Sequence, residues 1–229
     1  MSRPPAKTAD ADHCAQLARE HGWLWTPPID APPDPMTLIL AHGAGAPMDS
    51  VFMNDMAERL AALGVGVLRF EFPYMAQRRI TGGKRPPNPQ ATLLNTWREV
   101  YVSVSAGVNG RLAIGGKSMG GRMASLVADA LETDGLICLG YPFYAVGKPE
   151  KPRVAHLAEL QTPTLIIQGE RDALGNREAV NGYSLSPHIQ VQWIATGNHD
   201  LKPLKAAGVS DDACLQAAAQ GIADRLSRS

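Results

Sequence analysis

From residue 36 onward, short apolar runs alternate with longer stretches in which apolar residues return every three or four positions. The runs at 36–41, 65–72, 112–115, 136–139, 164–168 and 191–194 read as strands. Most are too uniformly apolar for a sheet with one wet face, so these strands are expected to be covered on both sides. Between them, 51–63, 119–131 and 212–226 carry the helical spacing of segments that cross from one parallel strand to the next. The pattern predicts an α/β fold with a mostly parallel central sheet flanked by helices, and no internal repeat competes with it.

Residues 1–35 break the pattern. Prolines at 4, 5, 27, 28, 32, 33 and 35 surround one helical stretch, 10–21, with an acidic start, Cys14, Leu17 and Ala18 on one face and Gly22 placed to end it. This segment reads as a Pro-rich arm packed on a single main domain of residues 36–229. A length of 229 residues with 45% hydrophobic content can bury one sizeable core and leaves little for a second. The formal net charge is +0 with the cations spread out, so bulk electrostatics drive the chain toward neither nucleic acid nor an anionic membrane; a small-molecule partner is expected. The N-terminal sequence has no apolar signal region and no later run is long enough to span a bilayer, which predicts a cytoplasmic protein. Three scattered cysteines and six histidines without ligand spacing point to no disulfide framework, no metal and no cofactor. Oligomeric state is not legible.

In an open parallel sheet, ligands bind beyond the carboxyl ends of the strands. Four segments follow strands directly: HGAGAPM, FPYM, GGKSMGG, and GERD with GNHD. Gly116-Lys117-Ser118-Met119-Gly120 fits the G-x-S-x-G elbow, in which a tight strand-to-helix turn projects the serine hydroxyl above the sheet. Such a hydroxyl needs a base, and a neutral imidazole serves when a carboxylate fixes its tautomer. After Ser118, an acid and then a histidine follow successive strands: Asp172 and His199. Glu170 could reach the same histidine; Asp172 is preferred, and Asp200 is expected to point elsewhere. His156, in a short helix, and His188, before the last strand, are weaker candidates. The oxyanion formed by acyl attack requires two donors. The Met119 N–H at the helix start and the Ala44 N–H in the loop after the first core strand are the candidates, with Gly43 and Gly45 permitting an unusual backbone path. His42 is expected to brace that loop.

LILAHGAGAPMDS, GGKSMGGRMAS, LIIQGERDALG and ATGNHDLKP resemble the small dienelactone-hydrolase-like branch of the α/β-hydrolase superfamily, over about residues 36–226. The resemblance implies a Ser118, Asp172, His199 triad with an oxyanion hole at Ala44 and Met119. Dienelactone hydrolases proper use a cysteine nucleophile, so their substrate does not transfer to a chain carrying Ser118.

Only residues 143–162 separate two strands where many lipases insert a lid, so a minimal cap or none is expected, with small or medium soluble esters favoured over fat. Tyr141, Pro142 and Phe143, after a strand, either line a pocket wall or serve packing alone. The loop 73–91, with Tyr74, Arg78, Arg79, Lys84 and Arg85, either recruits an anionic substrate group or is a solvated basic loop. Lys117 invites a Ser–Lys dyad, but an ion pair at the surface or behind the site fits its place on the elbow better. The expected activity is that of a serine hydrolase of the esterase kind. A binding or scaffold protein on the same fold, or an acyltransferase using the same serine, are the alternatives.

Overall fold

A computed structural model describes residues 6–29 and 35–228; the prolines at 4, 5, 32 and 33 lie outside the described residues. Strands β1 (Leu24–Thr26), β2 (Met36–Ala41), β3 (Val65–Phe70), β4 (Arg111–Lys117), β5 (Gly135–Leu139), β6 (Thr164–Gly169) and β7 (Ile189–Ile194) form one sheet in the order β1-β3-β2-β4-β5-β6-β7. From β3 to β7 every neighbouring pair is parallel, and β1 runs antiparallel to β3. The six expected strands therefore form, with ends shifted by up to two residues.

Alternation along each strand divides two apolar layers. Ile39, Leu68, Phe70, Ile114, Cys138 and Ile166 face α4 (Gln90–Ser105) and α5 (Met119–Ser125), while Leu38, Leu40, Val67, Ile137 and Ile167 face α2 (Val51–Ala62) and α7 (Asp211–Ser227). This coverage on both faces is why the strands lack polar alternation. The α5 helix is shorter than the expected 119–131. Leu126 and Val127 donate to carbonyls three residues back, which tightens the last turn, and a single 3-10 turn follows at Asp129–Leu131.

The segment 73–91 is not a loop throughout. Pro73 opens helix α3 (Pro73–Thr81), where its missing N–H costs nothing, and Gly82 closes it in the left-handed region. Next comes α4, whose buried Leu93, Trp97, Val100 and Val104 keep helical spacing inside a stretch, YVSVS, with a strand-like β-branched composition. The first helix, α1, spans Ala6–His21 and so begins four residues before the expected start. Asp10 consequently lies inside it and docks on the turn before β4, accepting from the N–H groups of Asn109 (3.0 Å) and Gly110 (2.9 Å).

The chain steps from β2 outward to β3 and then returns to β4 on the other side of β2. The carboxyl ends of β2 and β4, with Ala41 opposite Gly116, therefore bound the switch point at which such sheets bind ligands.

Candidate active site

Ser118 sits at that switch point with φ 52° and ψ −116°, a backbone conformation that costs a non-glycine residue about 1–3 kcal/mol. Its neighbours make the turn sterically feasible. A Cβ on Gly116 would lie 2.6 Å from the Gly121 nitrogen and one on Gly120 would lie 2.5 Å from the His42 carbonyl oxygen, so α5 can start hard against β2 and β4 only with glycine at both positions. The Ser118 N–H is tied to the Leu139 carbonyl at 2.8 Å, which fixes the elbow to β5.

His199 lies in the turn after β7. Its Nδ1 is 2.7 Å from Oδ2 of Asp172, a fully buried carboxylate that follows β6. The other contacts of Asp172 are the Gln168 amide (2.9 Å) on Oδ2 and the Leu174 N–H (2.8 Å) on Oδ1, and Gln168 is itself held by the Tyr141 backbone. With Nδ1–H donated to Asp172, the lone pair of the neutral ring is left at Nε2. Glu170 is engaged elsewhere: it pairs with Arg177 at 2.6 Å and accepts the Thr196 N–H at 2.9 Å. Those contacts, with Asn198 bonding the N–H groups of Asp200 and Lys202, shape the turn that carries His199.

Ser118, His199, Lys117, Asp200, Phe52 and the 43–46 loop line one cavity of about 340 Å³. A second chamber of about 470 Å³ shares Ala46, Ser50, Phe52 and Asp200 with it. The loop is set from below by two buried rings. His42 bonds the Gly43 carbonyl through Nδ1 (2.7 Å) and accepts the Phe72 N–H at Nε2 (3.1 Å), while the Tyr74 hydroxyl donates to the carbonyls of Ala44 (3.0 Å) and Gly43 (3.3 Å). Burial lowers the pKa of His42, despite the opposing bond to Gly43, and pushes the Tyr74 phenol up to about 12, so both stay neutral. In a trans peptide the C=O and the following N–H point in opposite directions. Holding the Gly43 carbonyl on His42 and Tyr74 therefore turns the Ala44 N–H away from them. Met119 lies at the other edge of the elbow, where a first-turn N–H has no acceptor within its helix.

Several candidate residues lie away from the cavity or serve another role beside it. Neither Gly43 nor Gly45 has positive φ, and a Cβ would meet nothing within 4 Å at Gly45 and only ordinary contacts from 3.5 Å at Gly43, so the backbone path of this loop does not require glycine at either position. Tyr74, expected near substrate, is buried beneath the loop as its brace. Tyr141 and Phe143 are fully buried and line neither chamber; the Tyr141 hydroxyl donates to the Arg153 carbonyl (3.1 Å). Arg78 and Arg79 line a separate depression with Pro47, Glu71 and Lys84, and Arg79 is already occupied by Asp49 (2.8 and 2.9 Å) and Glu71 (2.6 Å). The braces His42 and Tyr74 were half-legible: the histidine's role was readable from its place before the glycines, the tyrosine's partner was not. Among the described residues no three His, Cys, Asp or Glu side chains gather as a metal site would need, and no helix is long and apolar enough to cross a membrane.

A sequence profile described as "Alpha/beta hydrolase domain" matches residues 34–227. The chain belongs to this alpha/beta hydrolase family. No curated protein matches its sequence. Solved α/β-hydrolase structures share its fold. XC6422 from Xanthomonas campestris, described as an a/b serine hydrolase without lid, is 23% identical with a TM-score of 0.64, over 87% of this chain and 88% of that one. A dienelactone hydrolase from Anabaena variabilis is 20% identical with a TM-score of 0.66, over 90% of each chain. Est1E from Butyrivibrio proteoclasticus is 16% identical with a TM-score of 0.65, over 90% of this chain and 94% of that one. Among the described residues of this α/β-hydrolase no lid domain stands between β5 and β6, where the chain forms one single-turn 3-10 helix, Ala155–Ala158, one isolated β-bridge between Ala145 and Lys148, and otherwise turns, bends and coil.

Proposed function

We propose that the protein is a serine hydrolase that cleaves carboxylic esters of small or medium soluble molecules. The observation that carries this reading is the strained Ser118 sharing a cavity with His199, whose Nδ1 is engaged by the buried Asp172. Ser118 Oγ attacks the acyl carbon as its proton passes to His199 Nε2, and the N–H groups of Ala44 and Met119 receive the oxyanion. Asp172 stabilises the imidazolium so formed. Collapse of the tetrahedral adduct breaks the C–O bond, and the alcohol leaves with the proton from Nε2. Water, deprotonated by the same nitrogen, then cleaves the acyl-enzyme and restores Ser118.

The open cavity of about 340 Å³, with its neighbouring chamber, suits a compact substrate that enters from water without a lid to displace. Est1E, which binds ferulic acid in one of its structures, shares this fold at 16% identity, a likeness that carries fold and not substrate.

Fluorophosphonate labelling tests the reading. Wild type should be labelled, Ser118→Ala not at all, and His199→Ala at a rate lower by roughly 10³-fold or more. A well-folded wild type that resists labelling and turns over no ester in an acyl-chain series would leave a binding protein on a hydrolase fold.

A further inference from the structure

Lys117 immediately precedes the nucleophile, yet the reaction outlined above does not use it. Its side chain is only 9% exposed and reaches across the sheet ends from β4 to the turn after β7, donating to the backbone carbonyl of His199 at 2.8 Å and lying 3.3 Å from Oδ1 of Asp200. The ammonium also lies 5.5 Å from the centre of the Phe52 ring on the cavity wall. On the far side of the same contact is Gly140, directly after β5 with φ +64°; a Cβ there would come within 2.8 Å of the His199 carbonyl oxygen and 3.2 Å of the Lys117 nitrogen. The elbow's own residue therefore clasps the histidine's backbone, over a floor that only a missing side chain leaves clear.

We propose that Lys117 is the positioning residue of this site: it ties the Ser118 elbow to the His199 turn, so that nucleophile and base keep one separation while Asp172 sets the ring's rotation. The inference rests on Ser118 and His199 acting as nucleophile and base. Asp172 controls the ring through Nδ1, and Glu170 and Arg171 hold the entry of the turn at Thr196 and Gly197, but neither acts on the peptide of His199 itself. The Lys117 bond does, on the main-chain carbonyl of the base. A displacement of about 1 Å between reacting groups can cost up to about 100-fold in rate.

A mainly structural lysine would behave differently. Burying an ammonium is costly, and burial pulls its pKa down against the opposing pull of Asp200 and Asp172. Asp200, 58% exposed on its side chain, stays solvated when the cation is removed. An apolar replacement of similar length gives up one bond to the His199 carbonyl but removes the cost of burying the ammonium, so the two offset and the damage should fall on the alignment.

The test compares wild type with Lys117→Met by melting temperature, ester kinetics and the NMR signal of the His199 Nδ1–H proton, assigned by its loss in His199→Gln. The expected result is an unchanged or raised Tm, kcat lower by about 10- to 100-fold with KM within about twofold, and a shifted or exchange-broadened Nδ1–H signal. Unchanged kcat together with an unchanged proton signal would overturn the proposal, as would a fall in Tm that accounts for the lost activity. Should Lys117→Met fail to fold, Gly140→Ala pushes on the same contact without removing the lysine, and a folded Gly140→Ala with wild-type kcat and proton signal would overturn it equally. If wild type turns over no ester but the proton signal still responds to Lys117→Met, the hydrolase reading fails and the positioning role stands; if the signal does not respond either, both fail.

Discussion

Two loops meet over Ser118, and they are held by opposite chemistry. The 43–46 loop after β2 is fixed from inside the core by neutral groups, His42 and Tyr74, both buried. The 196–201 turn after β7 is fixed near the surface by charge: Glu170 on the Thr196 N–H, Arg171 on the Thr196 carbonyl (2.7 Å), and Lys117 on the His199 carbonyl. The position in the sheet explains the contrast. β2 is central and covered on both faces, so a charged brace beneath its loop would have to be desolvated; β7 is the edge strand and only partly buried, so Glu170 and Arg171 stay partly hydrated there, while Lys117 reaches the turn from the buried β4. The half of the site that would receive developing charge is thus coupled to global stability, and the half that carries the base is coupled to local electrostatics.

The largest effect is expected from His42→Leu. It leaves the Phe72 N–H without an acceptor in the interior and removes one of the two bonds on the Gly43 carbonyl, so unfolding in urea should show a loss of about 2–4 kcal/mol. The freed Gly43–Ala44 peptide should also lower kcat while the His199 turn keeps its contacts. Wild-type stability in this variant would mean that the first loop is not held from the core.

Acid acts in the same sense and somewhat less strongly. His42 and His156 are both driven toward the neutral form by burial, His156 to a pKa of about 4; its Nε2 lies 2.9 Å from the Ser125 hydroxyl. A histidine whose pKa is depressed on folding takes up its proton first in the unfolded chain. The two states bind protons equally above the unfolded value of roughly 6.5, and stability falls as the pH drops from there toward the folded value. For His156, with water sharing part of the cost at its half-buried ring, the loss between pH 7 and pH 4 should be about 2 kcal/mol. His156→Gln should flatten that part of the pH–stability curve. An equal slope in the variant would assign the acid sensitivity to other groups.

How much of this was legible follows from the same contrast. The six parallel strands and the groups Ser118, Asp172 and His199 were readable because the apolar runs of β2 to β6 are buried on both faces, that of β7 is partly buried, and each of these residues follows a strand end. The α4 helix was not, because Tyr101, Val102, Ser103 and Val104 have strand-like composition and only the pairing of Trp97 with Val100 and Val104 on one face reveals helical spacing. Nor was the use of the cations. Arg79 reads in the sequence as a substrate-recruiting or solvated cation and Lys117 as half of an ion pair, and neither reading gives the partners each meets: carboxylates from Asp49 and Glu71 for one, and for the other a backbone carbonyl 82 residues away with Asp200 beside it. Local pattern specifies which face is apolar; it does not specify which distant acceptor a long side chain finds.

The smallest expected effect is the most selective. Glu170→Gln keeps an acceptor for the Thr196 N–H but loses the ion pair with Arg177, which is more than half exposed on its side chain. Such a pair contributes little to global stability and is screened by salt, since the Debye length shrinks to about 3 Å at 1 M. Urea unfolding should therefore be nearly unchanged in the variant, while kcat should fall by about two- to fivefold, because Thr196 is the left-handed hinge (φ 52°) through which the chain enters the histidine turn. Wild type in 1 M NaCl should show a similar fall and Glu170→Gln little further response. If the variant instead keeps both the kcat and the salt response of wild type, Glu170 does not hold the turn. The salt response would then belong to the remaining charged contacts, and the burden of placing His199 would rest on Lys117 and Asp172, which are shielded from water and hence from salt.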